Sequence, residues 1–475
     1  MGARSPPLRR AAGSCDCPHG VNLLATSSNL LLAREQMAFT LGFHIILASM
    51  GVAFPAITLT ANWWGLRKRD EAALTLARRW STAMALLFAV GAVTGTVLSF
   101  EMGLLWPGLM SRFGDVFGIP FAIEGIFFFT EAIFIALYIY GWRRLSPRAH
   151  LWTGVPIVIA GIGGALSVVA ANSWMNQPAG FELNAAGDVT HVEPIDVIFN
   201  GATSYEVPHM ILAAYMVAGF LVASVYAVGW LRERRDRYHQ LGFAIPFTIA
   251  AIATPIQLFV GDTAARAIAD DQPAKFAAME YVEETGPNQT EWIGGLFIDG
   301  DVKLGIGIPD LDSILVGFSP DTVVTGLDRI PDDREPPSPT LLHLSFDTMV
   351  GLGSALLLLG LWYGLALWRR RSLPQSRWFW RAAAASGVAA VAALECGWIV
   401  TEVGRQPWVV TGFLRTEDAV TGADNLWLTF SLIVLIYAAL GVGLVFALRT
   451  LSRRWRRGEL EESEVPYGPP AGAEP

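Results

Sequence analysis

Charged residues are scarce in this sequence. Only 16% of its 475 residues are Asp, Glu, Lys or Arg, whereas a soluble domain carries roughly a quarter. Hydrophobic residues make up 53% instead. This shortage of solvating charge excludes a disordered chain, a cytosolic enzyme and a nucleic-acid-binding module, and it predicts a polytopic membrane protein.

Cysteine and histidine are also rare. The 3 Cys can form neither a disulfide framework nor a thiolate metal cage. Cys15, Cys17 and His19 lie close together, but we interpret this as a chance grouping in a short segment without other pattern. Of the 7 His, only His44 and His209 fall well inside apolar stretches, which is too few for a copper-containing oxidase.

Long apolar runs, by contrast, are abundant. A membrane-crossing helix needs about 20 apolar residues, and no run shows the alternation of a barrel strand. We therefore predict an all-α fold with about nine transmembrane helices, near residues 37–62, 80–105, 117–142, 151–175, 207–231, 240–261, 341–368, 378–402 and 426–448.

The spans divide the chain into five regions. The N-terminal tail, 1–36, is expected to be poorly ordered, and it has no continuous apolar run that would indicate a signal peptide. Helices 1–6 occupy 37–261, a long acidic loop occupies 262–340, helices 7–9 occupy 341–448, and a tail occupies 449–475. A loop this long usually has a function.

The positions of the basic residues predict the orientation. Lys and Arg cluster in every second connection, as at Arg67 and Lys68 after the first helix and at Arg453 and Arg454 after the ninth. Such clusters mark the cytoplasmic side. The N-terminus and the long loop are therefore expected outside, and the C-terminal tail inside.

Ionisable residues inside the spans are few. Each costs at least about 2.5–3.5 kcal/mol at the bilayer centre, so such residues usually have a function. They are His44, Glu101, Glu124, Glu131, His209, His343, Asp347, Glu395 and Glu402. Most lie near the outer end of their helix, and Met349 lies at a similar depth. The sequence therefore predicts a buried site near the outer leaflet.

The residue types at this site favour haem iron. Imidazole, thioether and carboxylate groups in an aromatic, apolar shell suit haem better than zinc, which prefers several ligands close together. Glu124 and Glu131 share one helix face at i, i+7, and Glu395 and Glu402 repeat that spacing. Such pairs are either structural or part of a proton relay. These residues alone indicate a membrane redox or proton-coupled protein.

Several motifs then match a known family in the right order. The run Gly404-Arg405-Gln406-Pro407-Trp408 resembles the GRQPW signature of subunit I of the cytochrome bd-type quinol oxidases. Further matches lie at Arg34–His44, Phe117–Gly125, Ala171–Pro178 and His209. The resemblance runs from about residue 30 to 450 and is to the short quinol-loop type.

The resemblance implies three haems. His209 and Met349 would be the axial ligands of a low-spin haem b. His44 and Glu402 would serve two high-spin haems, of which one is haem b and the other is haem d or a third haem b. Pro407 ends the helix soon after Glu402, so we expect this carboxylate to have few protein partners.

Other residues receive roles from the same resemblance. Glu124 and Glu131 match carboxylates linked to proton delivery, while Trp398 and Arg405 match residues near the high-spin haems. Arg405 would be placed to meet haem propionates.

Two residues of the long loop match the quinol-binding site of the family. These are Lys275 and Glu280, which without the match would be interpreted as a solvated helix face. The chain departs from the family pattern at Asp347, where many members have Arg.

The implied function is that of a terminal oxidase subunit in the bacterial cytoplasmic (inner) membrane. Quinol would be oxidised at the outer face and oxygen reduced to water with protons from the cytoplasm, which generates proton-motive force without pumping. The implied partners are subunit II in a heterodimer, a candidate small single-helix subunit, quinol, oxygen and the lipid bilayer, with no nucleic acid. Two alternatives stay open: a proton- or cation-coupled transporter, and a haem electron-transfer subunit without oxygen chemistry.

Overall fold

The computed structural model describes residues 23–298, 301–458 and Tyr467. Cys15, Cys17 and His19 lie outside the described residues, as do the first part of the predicted N-terminal tail and most of the C-terminal tail after Gly458.

Nine helices in the described part of the chain are long and apolar enough to cross a membrane. They are α1 (Leu23–Lys68), α2 (Glu71–Leu105), α3 (Pro107–Gly141), α4 (Pro147–Thr153) continued by α5 (Val155–Asn176), α7 (Thr203–Leu231), α8 (Arg237–Asp271), α11 (Pro339–Arg370), α12 (Arg377–Gly404) and α14 (Leu426–Arg457). The predicted all-α fold with about nine transmembrane helices is confirmed.

Short elements fill the connections. The short helices are α6 (Pro194–Ile198), α9 (Pro273–Glu280), α10 (Leu311–Gly317) and α13 (Thr416–Ala419). The strands are β1 (Phe181–Leu183), β2 (Val189–Val192), β3 (Glu291–Ile293), β4 (Leu296–Ile298), β5 (Asp301–Lys303), β6 (Ile306–Ile308), β7 (Trp408–Val410) and β8 (Leu414–Arg415). They pair antiparallel as β1–β2, β3–β6, β4–β5 and β7–β8.

The helices extend beyond the apolar runs that predicted them. α1 begins at Leu23, inside the segment assigned to the N-terminal tail, and α8 continues to Asp271, inside the predicted loop. Hydropathy locates only the apolar part of a helix, whereas caps decide where it begins. The side chain of Asp70 accepts a hydrogen bond from the backbone of Ala73 and so caps α2, which begins at Glu71, nine residues before the predicted start of that span.

An aromatic core joins α7, α8, α11 and α12. It includes Phe220, Phe243, Phe247, Tyr363, Phe379 and Trp380. Helices in lipid associate through close packing, which small residues permit. A Cβ on Gly219 would lie 2.7 Å from the carbonyl oxygen of Pro246, so the backbones of α7 and α8 are in contact there. A second core joins α1, α2, α3 and α5.

The long connection between α8 and α11 is folded. It contains the helices α9 and α10, the four strands β3, β4, β5 and β6, and two short 3-10 turns. Its apolar core consists of Phe276, Met279, Val324 and Leu327, which pack with Leu342 at the start of α11. This packing holds α9 against the ends of the membrane helices.

Candidate functional site

The helix α1 holds two polar side chains against α2. Glu101 is buried and accepts hydrogen bonds from Gln36 Nε2 (2.7 Å) and Thr40 Oγ1 (2.5 Å). One turn further along α1, His44 Nδ1 lies 2.9 Å from Thr94 Oγ1. Because Thr94 engages Nδ1, Nε2 is the nitrogen through which His44 could bind a metal.

Two further carboxylates face α1 from other helices. A Cβ on Gly51 would lie 3.9 Å from Glu131 Oε1, and a Cβ on Gly42 would lie 3.2 Å from Glu395 Oε2. Each carboxylate has one buried oxygen, Oε1, without a hydrogen-bond partner. Glu124 is close enough to Glu131 to interact electrostatically. The structure thus brings carboxylates of α2, α3 and α12 around α1.

The predicted low-spin haem ligands lie on the helices of the aromatic core. His209 Nε2 is 3.2 Å from Gln257 Nε2 of α8, while its Nδ1 is buried without a partner. Met349 lies on α11 beside α12, because a Cβ on Gly397 would be 3.0 Å from its Sδ. Trp398 is partly buried and packs against the same core.

Glu402 has more protein partners than predicted. Its Oε1 accepts a hydrogen bond from Asn172 Nδ2 (2.7 Å), and its Oε2 accepts one from Arg405 Nη2 (2.5 Å). The expectation of few partners is therefore wrong. That expectation rested only on the turn of chain after Glu402. The partner Asn172 lies on α5, which packs beside the end of α12. Arg405 is 5% exposed, and its Nε and Nη1 have no partner.

Lys275 joins this group from the loop. Its Nζ donates a hydrogen bond to Asn176 Oδ1 (3.1 Å), and the amide of Asn176 donates to Glu206 Oε1 (2.9 Å). Lys275 also interacts electrostatically with Glu206, Arg405 and Glu402. Burial lowers the pKa of Lys275 to about 8, and the attraction of Glu206 opposes that shift.

Glu280 faces a different group. Lys275 and Glu280 are 3% and 4% exposed, so the alternative of a solvated helix face is wrong. Five residues apart on α9, the two side chains point to different sides of the helix. Burial raises the pKa of Glu280 well above its ordinary value, and the nearby Glu291, Asp312 and Asp347 raise it further.

Asp347 is directed toward the loop. Its Oδ2 accepts a hydrogen bond from the backbone N–H of Gly294 (2.5 Å) and lies 3.3 Å from Nε2 of His343. Asp347 therefore interacts with an imidazole and with the loop backbone.

Sequence reasoning missed Glu206, Asn172 and Asn176 as site residues. Glu206 stands three residues before His209, on the same face of α7, and this spacing was the available signal. Asn172 and Asn176 lie within a matched motif, but only the tertiary packing of α5 shows that they bridge Glu402, Glu206 and Lys275.

The arrangement fits haem. The residues described contain no group of three or more His, Cys, Asp or Glu that could hold a metal ion. Haem needs only one or two protein ligands, because the porphyrin supplies the in-plane ones. His209 offers a buried Nδ1 that has no partner, and Arg405 offers two N–H groups without partners for an anionic edge of the haem.

Comparison with known proteins gives a consistent result. The family described as cytochrome bd terminal oxidase subunit I matches residues 32–455. A Bacillus subtilis (strain 168) protein, provisionally named a cytochrome bd menaquinol oxidase subunit I, is 34% identical over 88% of this chain and 96% of its own length. The cytochrome bd ubiquinol oxidase subunit 1 of the same strain is 31% identical over 88% of this chain and 92% of its own.

A solved structure agrees in fold. The bd oxidase from Geobacillus thermodenitrificans superposes with a TM-score of 0.85 at 35% sequence identity, covering 90% of this chain and 98% of that one.

Proposed function

The chain belongs to the family of cytochrome bd terminal oxidase subunit I, and we propose that it oxidises quinol at the outer face of the membrane and reduces oxygen with protons from the other side. Members of this family are multi-pass, haem-containing subunits of quinol oxidases, and they partner with subunit II. That membership sets aside both alternatives, the transporter and the electron carrier without oxygen chemistry.

One observation carries the proposed quinol site. Lys275 is buried and interacts electrostatically with Glu206, Glu402 and Arg405, so the loop residue that resembles the quinol-binding Lys lies near the residues proposed to hold a haem. A quinol oxygen hydrogen-bonded to Lys275 would lie beside that group. Glu280, on the other side of α9, would receive a quinol proton.

The proposed haem ligands are imidazole, thioether and carboxylate side chains of the membrane helices. His209 and Met349 would hold a low-spin haem b, and His44 and Glu402 would each serve a high-spin haem, of which one is of type d or a third haem b. Arg405 would bind a propionate through its open N–H groups. When bound at these residues, the haems would supply the redox chemistry that links quinol oxidation to oxygen reduction.

The proposed proton path begins at the opposite face. Glu124 and Glu131 lie on α3, and Glu131 reaches α1 at Gly51. The two carboxylates would therefore pass protons from the cytoplasmic face into the membrane toward His44. Oxidation of quinol outside and uptake of protons inside separate charge across the bacterial inner membrane without pumping. The basic connections support an orientation with the N-terminus outside and the C-terminus inside. A small single-helix subunit is a further proposed partner.

A spectrum and an oxygen electrode test the proposal. The purified complex should show low-spin and high-spin haem bands and should consume oxygen with menaquinol or ubiquinol as donor. Glu131→Gln should slow oxygen consumption while the haem bands stay unchanged. Haem bands without quinol-dependent oxygen consumption would contradict the proposed function.

A further inference from the structure

Three carboxylates of the long loop lie close enough to interact, two of them buried and one half-buried. They are Glu280 of α9, Glu291 of β3 and Asp312 of α10, which we call the loop carboxylates. Glu280 interacts electrostatically with both of the others, and Glu291 interacts with Asp312. Each has one oxygen without a hydrogen-bond partner: Glu280 Oε2, Glu291 Oε2 and Asp312 Oδ2. Because Glu280 is 4% and Asp312 1% exposed, bulk water does not reach their side chains freely.

The basic side chains near the loop carboxylates interact with other partners. Nδ1 of His343 is 2.7 Å from the carbonyl oxygen of Met279, and its Nε2 faces Asp347 at 3.3 Å. On α8, the guanidinium of Arg266 packs beside α10 but forms an ion pair with Asp262 at 2.9 Å. His343 and Asp347 thus form a pair beside the loop carboxylates, and Arg266 is bound elsewhere.

Buried carboxylates without a dedicated cation are neutralised by protons. Burial raises the pKa of Asp312 to about 7. Burial, followed by the charges of Asp312 and Asp347, raises the pKa of Glu291 to about 7 against the opposing effect of His343. Groups that interact this strongly titrate as a unit. Asp312 and Glu291 can therefore bind and release protons near neutral pH, and burial also favours the protonated form of Glu280.

We propose that the loop carboxylates receive the protons released by quinol and conduct them to the outer surface. This inference rests on the proposed quinol site at Lys275 and Glu280. As quinol gives its electrons to the oxidase, each quinol O–H bond breaks and its proton forms a carboxyl O–H bond on Glu280. One carboxylate oxygen holds one proton, so Glu280 must transfer the first before it accepts the second.

The positions of Asp312 and Glu291 supply that transfer. Asp312 is as deeply buried as Glu280, whereas Glu291 is only half-buried, on a strand whose neighbour Ile293 is exposed. A proton that moves from Glu280 through this group therefore reaches solvent at Glu291. Glu280 would touch quinol, and Asp312 and Glu291 would act through it as positioning and relay residues.

The test uses Asp312→Asn and Glu291→Gln in the intact oxidase. Each change should lower kcat for quinol oxidation about tenfold or more and leave KM and the haem bands unchanged. The low-pH limb of the kcat profile should also move to lower pH, because each change removes a negative charge that raises the pKa of Glu280. Asp321→Asn is the matched control, since Asp321 is an exposed carboxylate of the same loop.

The outcomes separate this inference from the proposed function. If Asp312→Asn and Glu291→Gln keep the kcat and pH profile of Asp321→Asn, the proton route is wrong although the oxidase function stands. If the wild-type complex consumes no oxygen with quinol, the proposed function itself is wrong. The haem bands report correct assembly of each variant. If Asp312→Asn does not assemble, Glu291→Gln still tests the route, because a substitution at this half-buried position disturbs the packing less. Glu291→Asp, which keeps the carboxylate, should recover most of the lost rate.

Discussion

Arg405 donates a hydrogen bond from Nη2 to Oε2 of Glu402, three residues earlier in the chain, while its Nε and Nη1 have no partner. The arginine is 5% exposed. A buried guanidinium with open N–H groups is arranged to bind a second anion, and a haem propionate is the anion that the proposed function brings here. The pair therefore links a proposed iron ligand to the charge at the edge of a haem.

Glu402→Ala should remove a high-spin haem signal and oxygen reduction. The change deletes a proposed iron ligand and leaves the buried guanidinium of Arg405 without its carboxylate partner. The low-spin haem proposed to be held by His209 and Met349 should survive. Reduced-minus-oxidised spectra and an oxygen electrode measure the two effects.

Glu402→Gln is the matched control for this prediction. Its amide oxygen can still accept hydrogen bonds from Asn172 or Arg405, so the local fold should hold and some haem should remain, with slow turnover. Normal oxygen consumption and a full high-spin spectrum in Glu402→Ala would show that Glu402 is only a helix-end carboxylate.

Met349→Leu should abolish the low-spin haem signal together with quinol oxidation. Leu has nearly the volume of Met, so the packing cost stays below about 1.5 kcal/mol and the loss reports the missing thioether. Met216→Leu is the control, because Met216 is 5% exposed in the aromatic core but is not a proposed ligand. An unchanged low-spin spectrum in Met349→Leu would remove Met349 from the ligand set.

The transmembrane helices were predictable because bilayer thickness requires long apolar runs, and the sequence shows these directly. Their ends were not, since caps such as Asp70 and the polar extensions of α1 and α8 lie outside those runs. The motifs located individual candidates such as Glu402 and Lys275. Their connection through Asn172, Asn176 and Glu206 depends on how α5, α7 and α12 pack, which no single-helix pattern contains.

The affinity for quinol should depend on pH through Lys275. Burial lowers the pKa of Lys275 from 10.5 to about 8, so the ammonium is present below that pH and is lost as pH rises through it. Between about pH 8 and 10.5 the unfolded chain binds more protons than the folded one, so this group's contribution to stability increases with pH. Quinol binding should change in the opposite direction, because a charged donor hydrogen-bonds more strongly than a neutral amine.

The wild-type KM for quinol should therefore increase as pH rises through about 8. Lys275→Ala should show a high KM at every pH, with its haem bands intact. Lys303→Ala, which removes an exposed lysine of the same loop, should keep the wild-type profile. Loss of haem in Lys275→Ala would instead assign the residue a structural role.

Gly95→Ala should displace His44 and weaken binding of the high-spin haem that His44 is proposed to serve. A Cβ at Gly95 would lie 2.9 Å from His44 Cε1, closer than van der Waals contact allows, so the imidazole must move away from Thr94. Gly91→Ala, one turn earlier on α2, is the control: its Cβ would meet Leu47 Cβ at an ordinary 3.7 Å. Because Ala favours a helix over Gly by roughly 1 kcal/mol, Gly91→Ala should be at least as stable as wild type and spectrally normal. If Gly95→Ala had the high-spin spectrum and oxygen consumption of Gly91→Ala, His44 would not be a haem ligand at this position.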